Sequence, residues 1–459
     1  MPATSATAEK SHARILGQYI AGSTQAPIPD AVIDAARLCL ADWLAVAIGA
    51  RDEDAGRVVR ATVAGWESRG RSMVLFGESA TASAAALANG TLAHCLDFDD
   101  TYVPAITHTS APVWAAVLAL GQARCVNAHA MLEAFVTGFE VVARFGYGLG
   151  QGLTARGLHG TGVFGRIGAA AASARLMGLD AERATHALAL AATQAGGLAA
   201  SFGTMAKPFH AGKAAMDGIL SAELAAAGLI GAPATLEPGG LDKALIQDGK
   251  LQFKRPDFAG WEILNNSFKP YAACHLVHPA VDAALASGIL PANIRRVRAT
   301  VSPLAMQMTG LADGRPATPL AAKFDLRYCI ALALHGRPVS ASDFREPWVA
   351  DKAVLATAAR IDAIADASIG FATAGLEVDA GNGPAKLIRI ETAKGHPGNP
   401  MRWDDMWSKF DGLAAPVLGA GTRGLFELVR GFGQGVEAPV LTERLAGLSP
   451  THSASLKSA

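Results

Sequence analysis

The chain has 459 residues, a length that exceeds one compact hydrophobic core and predicts two domains. Lys plus Arg number 40 and Asp plus Glu number 40, so the formal net charge is zero, which argues against a nucleic-acid or membrane-surface partner. Hydrophobic residues make up 51% of the chain but aromatic residues only 6%, so Ala, Leu and Val supply most of the apolar content. This composition favours closely packed helices.

The cysteines and the apolar runs predict a cytoplasmic protein with reduced thiols. The first 20 residues lack the apolar core of a signal peptide, and the run 38–50 is too short for a membrane span and contains Asp42. The five cysteines are dispersed, without a C-x-x-C pair: Cys39, Cys95, Cys125, Cys274 and Cys329.

Helical periodicity dominates the chain up to about residue 260. Pro29 and Asp30 open the first clear run, in which apolar residues recur every three or four positions. Asp180 has the position of an N-cap. Further helices are predicted at about 82–95, 111–123, 128–147, 162–178, 180–195 and 207–228.

Alternating patterns after residue 255 predict strands. Residues 293–302 alternate in polarity, and two more alternating segments flank Gly381-Asn382-Gly383, which has the composition of a hairpin turn. Helical periodicity returns after Pro400, and the polar tail from residue 450 is expected to fray. The predicted fold class is mainly α. A large all-helical domain (1–264 and 396–459) is expected to carry a smaller α/β domain (265–395) inserted late in the chain.

Three polar segments are candidates for chemistry. The first, residues 94–112, holds Asp97, Asp99, Asp100, Thr101 and His108. One interpretation is a solvated loop with capping carboxylates; a metal site is the alternative, but the ligand spacing is not distinctive, so we predict no metal.

The second segment surrounds His159, which lies between glycines at the entrance to a predicted helix, where free N–H groups attract anions. Gly160, Gly162 and Gly165 match G-x-G-x-x-G, but a predicted helix precedes them, which argues against a dinucleotide site. A lone histidine in such a position is more often structural.

The third segment, residues 203–215, holds Lys207, His210 and Lys213 among Ala and Gly. A partly buried lysine there could hold a carboxylate, whereas the alternative is a surface lysine. No GxSxG elbow, P-loop, HExxH motif or grouped cysteines occur in the sequence. We therefore expect side-chain chemistry with no cofactor.

Several segments, taken in their order along the chain, resemble the MmgE/PrpD family. Together they span nearly the whole chain. The segments that carry the resemblance are LADWLAVAIGA, ANGTLAHCLDFDDT, HTSAP, GFEVVARFG, RGLHGTGVFG, GTMAKPFHAGKAA, NSFKPYAACHLVHPAVDAAL, AAKFDLRYCIALAL and GHPGNPM.

The resemblance implies a helical domain with an α/β lid, a homodimer, and an active site in the cleft between the domains that needs no organic cofactor. After Lys269, the sequence offers both His275 and His278 where relatives have Arg or His; His275 is the one we assign. The resemblance implies catalytic roles for Asp97, His108, His159, Lys207 and Tyr328, and substrate binding by Thr101, Lys269 and His275.

The family includes enzymes that dehydrate 2-methylcitrate, decarboxylate cis-aconitate or epimerise iminodisuccinate, each next to a carboxylate. Lys207 and Lys269 could clamp carboxylates, a histidine could move the proton, and Tyr328 could donate from the opposite face. The leading hypothesis is a 2-methylcitrate dehydratase-like lyase. The alternatives are an epimerase, then a decarboxylase. An inactive helical scaffold would have no use for this set of residues.

Overall fold

The computed structural model describes residues 11–22, 27–246, 253–381 and 383–448. The chain forms two compact units. The helical unit comprises Met1–Cys95, Asp99–Asn266 and Met406–Ala459; the α/β unit comprises Leu96–Phe98 and Ser267–Asp405.

The α-helices occupy most of the described chain. In chain order they are α1 (His12–Ile20), α2 (Asp30–Gly49), α3 (Asp54–Gly65), α4 (Ala82–His94), α5 (Ser110–Ala123), α6 (Ala128–Gly146), α7 (Gly150–Ala155), α8 (Gly160–Leu176), α9 (Ala181–Ala192), α10 (Ala206–Ala226), α11 (Leu241–Leu245), α12 (His278–Ser287), α13 (Pro303–Thr309), α14 (Pro319–Ala322), α15 (Leu326–Leu334), α16 (Lys352–Ala358), α17 (Trp403–Leu418), α18 (Thr422–Arg430) and α19 (Ala438–Ala446).

Small residues let the central helices of the helical unit approach closely. A Cβ at Gly90 of α4 would lie 2.9 Å from Cα of Gly212 in α10, and a Cβ at Gly218 of α10 would lie 2.4 Å from Cβ of Ala169 in α8. Such contacts exclude larger side chains, which explains why an aromatic-poor sequence can still fill this core.

The α/β unit contains one four-stranded mixed sheet. Its strands are β1 (Arg296–Val301), β2 (Ile361–Ala365), β3 (Ala374–Asp379) and β4 (Lys386–Ile390), in the order β2-β1-β3-β4. Strand β1 runs parallel to β2 and antiparallel to β3, and β3 pairs antiparallel with β4.

The predicted fold class is confirmed: the protein is mostly helical, with a small mixed sheet in its C-terminal part. Asp180 is an N-cap, as expected, and accepts the N–H of Arg183. Strand β2 was not predicted from the sequence, because it is short and only one of its residues, Ile361, is buried. Asn382 and the tail from residue 450 lie outside the described residues.

The described part of the chain includes no helix that combines the length and the apolar character needed to cross a bilayer.

Candidate active site

A buried carboxylate joins two histidines in the helical unit. His94 is the last residue of α4, and its Nδ1 lies 3.0 Å and 2.9 Å from the two carboxylate oxygens of Asp99. The Nδ1 of His108 lies 3.3 Å from Oδ2 of the same carboxylate. The centroids of the two imidazole rings are 4.6 Å apart.

The loop between α4 and α5 holds His108 through backbone contacts. Tyr102 and Thr107 form an antiparallel bridge, which folds the loop back on itself. The backbone N–H of His108 donates to Oγ1 of Thr161, in the first turn of α8, at 3.0 Å. The loop is thereby tied to the start of α8.

His159 is the N-cap residue of α8 and lies beside the same group. Its backbone N–H donates to the carbonyl of Gly197 at 2.9 Å, and its Nδ1 is 3.1 Å from Nδ1 of His210, so one ring donates and the other accepts. Its ring centroid is 5.7 Å from that of His94. We call His94, His108, His159 and His210 the histidine cluster.

Burial favours the neutral forms of His94 and His159. Burial lowers the pKa of His94 to about 4, although Asp99 opposes the shift. Burial also lowers the pKa of His159 well below its usual range, and the nearby His94 and Lys207 lower it further. Burial alone would raise the pKa of Asp99, but the charges and hydrogen bonds of His108 and His94 outweigh it and lower that pKa well below its usual range. Asp99 is therefore an ionised carboxylate next to the buried ring of His94.

Lys207 brings a positive charge to the cluster. It is the second residue of α10 and is half-buried, and its Nζ lies 5.4 Å from the ring centroid of Phe202. The same ring packs edge-on against His159 at 5.0 Å. A substrate carboxylate near these imidazoles would have a cation within reach.

The same carboxylate and two imidazoles are also a set that could hold a divalent metal ion. One ligand atom from each of His94, Asp99 and His108 lies within 4.8 Å of the others. In the described structure, Nδ1 of His94 is hydrogen-bonded to Asp99, and Nδ1 of His108 lies 3.3 Å from the same carboxylate without forming a hydrogen bond.

Asp100, the residue after Asp99, has different neighbours. Its Oδ2 accepts from Ser110 Oγ and Asn266 Nδ2, both at 2.5 Å. Burial raises the pKa of Asp100 to about 7, and the charge of Asp42 adds to the effect. Next in the chain, Thr101 is buried, and its hydroxyl has no hydrogen-bond partner among the described residues.

In the α/β unit, two predicted site residues meet. Nζ of Lys269 donates to the backbone carbonyl of Asp97 at 2.7 Å and lies 3.4 Å from its Oδ1. Asp97 adopts a left-handed backbone conformation with φ of 52°, and Lys269 is 2% exposed. A non-glycine residue in this region is strained, and the buried ammonium stabilises the turn that holds it.

Tyr328 and the two alternative histidines also belong to the α/β unit. Tyr328 is fully buried in α15, and its hydroxyl lies 3.1 Å from the carbonyl of Trp348. His278 is fully buried and donates from Nε2 to the carbonyl of Ala273 at 3.2 Å, whereas His275 is partly exposed. His278 therefore has a structural contact already, and His275 keeps its assignment as a predicted binding residue.

The structure adds residues that we had not assigned from the sequence. His108, His159 and Lys207 were predicted, but His94 was not, and Asp99 and His210 were noted only as neighbours. A signal for His94 exists in the sequence: it ends a helix of small residues just before the acidic segment, five positions from Asp99. The pairing of His94 with Asp99 depends on the path of the loop between α4 and α5.

Two family models match the chain: the MmgE/PrpD N-terminal domain over residues 14–254 and the MmgE/PrpD C-terminal domain over residues 271–429. Among curated proteins, the chain is 28% identical over 347 residues to a cis-aconitate decarboxylase of Aspergillus terreus, covering 70% of this chain and 71% of the relative. It is 27% identical over 396 residues to the Homo sapiens cis-aconitate decarboxylase, covering 81% of each. The Mus musculus enzyme of that name is 36% identical over 160 residues, 34% of this chain and 33% of the relative.

Proposed function

Because the chain belongs to the MmgE/PrpD family, we propose that it is a lyase that moves a proton at a carbon next to a carboxylate of a small di- or tricarboxylate. The observation that carries the proposal is the histidine cluster, in which Asp99 is hydrogen-bonded to His94 and lies 3.3 Å from Nδ1 of His108, and Lys207 adds a positive charge. Side chains alone supply the acid and the base.

An anionic substrate would counteract the lowered pKa of His159. The pKa of His159 is depressed by burial first and then by surrounding positive charge. A bound polycarboxylate would add negative charge and raise that pKa toward neutrality. Proton transfer is most efficient when the pKa of the group lies near the operating pH, so substrate binding would itself prepare the base.

Decarboxylation of a cis-aconitate-like acid is the reaction that we place first. The fungal and human relatives that match most of the chain are cis-aconitate decarboxylases, which reverses the order that we had drawn from the sequence. In such a reaction the bond to a carboxylate carbon breaks, carbon dioxide leaves, and the electron pair remains on the substrate. A protonated imidazole then delivers a proton to carbon, and Lys207 stabilises the carboxylate beside the developing charge.

Dehydration of a 2-methylcitrate-like acid and epimerisation are the second candidates. Both begin with removal of a proton from a carbon next to a carboxylate, which the same cluster could perform. The two reactions differ in the next step, because hydroxide leaves in the dehydration and a proton returns to the other face in the epimerisation. The proposal includes a cytoplasmic homodimer that acts on a dissolved carboxylate, with no nucleic-acid or membrane partner.

The test is incubation with a panel of di- and tricarboxylates in deuterated water, followed by proton NMR. We expect loss of carbon dioxide from an unsaturated tricarboxylate, with one deuteron incorporated at carbon. Loss of water would indicate a dehydratase, and exchange without a net product would indicate an epimerase. A chain that gives none of these with any member of the panel would contradict the proposal and support a scaffold.

A further inference from the structure

The imidazole of His159 is held at Nδ1 by a second imidazole. Nδ1 of His159 lies 3.1 Å from Nδ1 of His210, a hydrogen bond in which one ring donates and the other accepts. Among the described residues, it is the only hydrogen bond of the His159 ring. Because Nδ1 is engaged whichever ring carries the shared hydrogen, Nε2 is the nitrogen of His159 that is left for another molecule.

The backbone of Gly197 lies against both members of this pair. Its carbonyl accepts the backbone N–H of His159, the N-cap residue of α8, at 2.9 Å. A Cβ at Gly197 would lie 3.2 Å from Nδ1 of His210, the fifth residue of α10, and 3.6 Å from Cβ of His159. The φ of Gly197 is 121°, a conformation that favours glycine. The pairing of the two rings is therefore built into the packing of this loop against α8 and α10.

The hydrogen bond distinguishes between two orientations of the His159 ring. The outermost torsion of a histidine side chain is roughly two-fold, so the ring could also sit rotated by half a turn. That rotation exchanges Nδ1 with Cδ2 and Nε2 with Cε1, so the rotated ring would lose the bond to His210 and present carbon where Nε2 had been. His159 is 4% exposed, and Phe202 packs edge-on against it with ring centroids 5.0 Å apart. A nitrogen that lost its partner in this buried setting would be costly.

We propose that His210 is a positioning residue for His159, whose hydrogen bond selects the ring orientation in which Nε2 of His159 meets the substrate. The inference deepens the proposed function and rests on it, since it names the atom of His159 that moves the proton. It holds whichever of the two rings donates. A reacting group that is misplaced by about 1 Å can cost roughly 10²-fold in rate, so loss of this bond should be visible in kcat.

Substitutions of His210 separate the hydrogen bond from the shape of the ring. His210→Asn places an amide oxygen or nitrogen close to the position of Nδ1, so it can accept from His159 or donate to it. His210→Phe keeps a ring and removes the bond. His210→Leu also removes the bond, with a smaller side chain, and serves if the phenylalanine variant does not fold.

His186 provides the matched control. It is half-buried like His210 and belongs to α9 of the same helical unit, but its Nδ1 lies 3.0 Å from the carbonyl of Gly231, outside the histidine cluster. His186→Phe therefore reports the general effect of replacing a half-buried, hydrogen-bonded histidine by phenylalanine.

We expect kcat to fall by roughly 10²-fold in His210→Phe and His210→Leu, with KM within about threefold of wild type, and by no more than about tenfold in His210→Asn. His186→Phe should keep kcat within about twofold of wild type, as expected for a site away from the chemistry. Equal losses in the asparagine and phenylalanine variants would overturn the positioning role. So would a wild-type kcat in a folded His210→Phe protein.

A second measurement needs no turnover. Nitrogen NMR of protein labelled at histidine detects a scalar coupling between two ring nitrogens that share a hydrogen, and His159→Gln assigns the signals. We expect this coupling between the Nδ1 atoms of His159 and His210 in wild type and its loss in His210→Phe. Absence of the coupling in wild type would overturn the inference even if the enzyme is active. The coupling in a protein that is inert toward every carboxylate would count against the proposed function alone.

Discussion

Gly160 approaches Ile106 so closely that a Cβ at position 160 would lie 2.5 Å from the carbonyl oxygen of Ile106. Gly160 is the first residue of α8 and follows His159, while Ile106 is two residues before His108. The absence of a side chain at Gly160 therefore lets the start of α8 and the loop with His108 pack together.

Gly160→Ala should lower both stability and turnover, because the backbone of Ile106 must move to admit a methyl group. We expect a loss of about 1–3 kcal/mol in the free energy of unfolding and a drop in kcat, measured by denaturation and steady-state kinetics. Gly65→Ala is the control, since a Cβ there meets nothing within 4 Å. Comparable damage in the two variants would show that the contact has no special role.

His159→Gln should fold, bind substrate and hardly turn it over. Glutamine keeps hydrogen-bonding capacity toward His210 but cannot cycle a proton near neutral pH, so we expect kcat to fall by roughly 10²- to 10⁴-fold with a small change in melting temperature. A variant that melts many degrees lower while its folded fraction keeps full kcat would make His159 a structural residue.

Lys207→Ala should raise KM and lower kcat, because it removes a cation from the site where the proposal places a substrate carboxylate. The expected loss of transition-state stabilisation is roughly 2–4 kcal/mol from kcat/KM. Lys213→Ala, further along α10, is the control: Lys213 is paired with Asp217, which also binds Arg166. Equal kinetics in the two variants would remove Lys207 from the site.

The companion variant Lys269→Ala should show the same kinetic loss together with reduced stability. Nζ of Lys269 is buried and donates to the carbonyl of Asp97, so truncation leaves a buried acceptor without its donor. Wild-type kinetics in a folded Lys269→Ala protein would show that this lysine supports only the turn at Asp97.

Acidification should destabilise wild type more than His94→Gln. The pKa of His94 is lowered to about 4 by burial, below the value of 6.5 expected in the unfolded chain, so between these pH values the unfolded state binds the extra proton. The contribution of neutral His94 to the free energy of unfolding is therefore lost as the pH falls. The difference in unfolding free energy between the two proteins should shift by up to about 1.4 kcal/mol per pH unit.

Denaturation at pH 7, 6 and 5 measures this difference, and His129→Gln, at an exposed histidine, is the control. If the difference in unfolding free energy between wild type and His94→Gln stays constant from pH 7 to pH 5, His94 gains its proton in the folded state as easily as in the unfolded chain.

Activity should survive exhaustive chelation, because the sequence lacks grouped cysteines and recognised metal motifs and both Nδ1 atoms near Asp99 already face an acceptor. The measurement is kcat/KM before and after dialysis against EDTA, followed by single additions of divalent metals. Loss of activity that one metal restores would instead make His94, Asp99 and His108 a metal site.

The sequence by itself determined most of the long helices of the helical unit, the antiparallel pairing of β3 with β4 and the family, but it predicted neither α3 nor the helices of the α/β unit. Helix periodicity and caps are local, so Asp180 and the run from Asp30 could be read directly. The order of weak motifs along the chain indicated the family that both family models match. Residues such as His159 and Lys207 could be named because each lies in such a motif.

Only the tertiary structure decided which polar side chains contact one another. Asp99 and Asp100 are neighbours in sequence, yet Asp99 is hydrogen-bonded to His94 and lies close to His108, whereas Asp100 accepts hydrogen bonds from Ser110 and Asn266. Strand β2 was missed for a related reason: it is short, mostly exposed, and defined by its parallel pairing with β1, which lies about 65 residues earlier in the chain. Burial lowers the pKa of His94. The extent of that burial depends on tertiary packing, which a local sequence pattern does not encode.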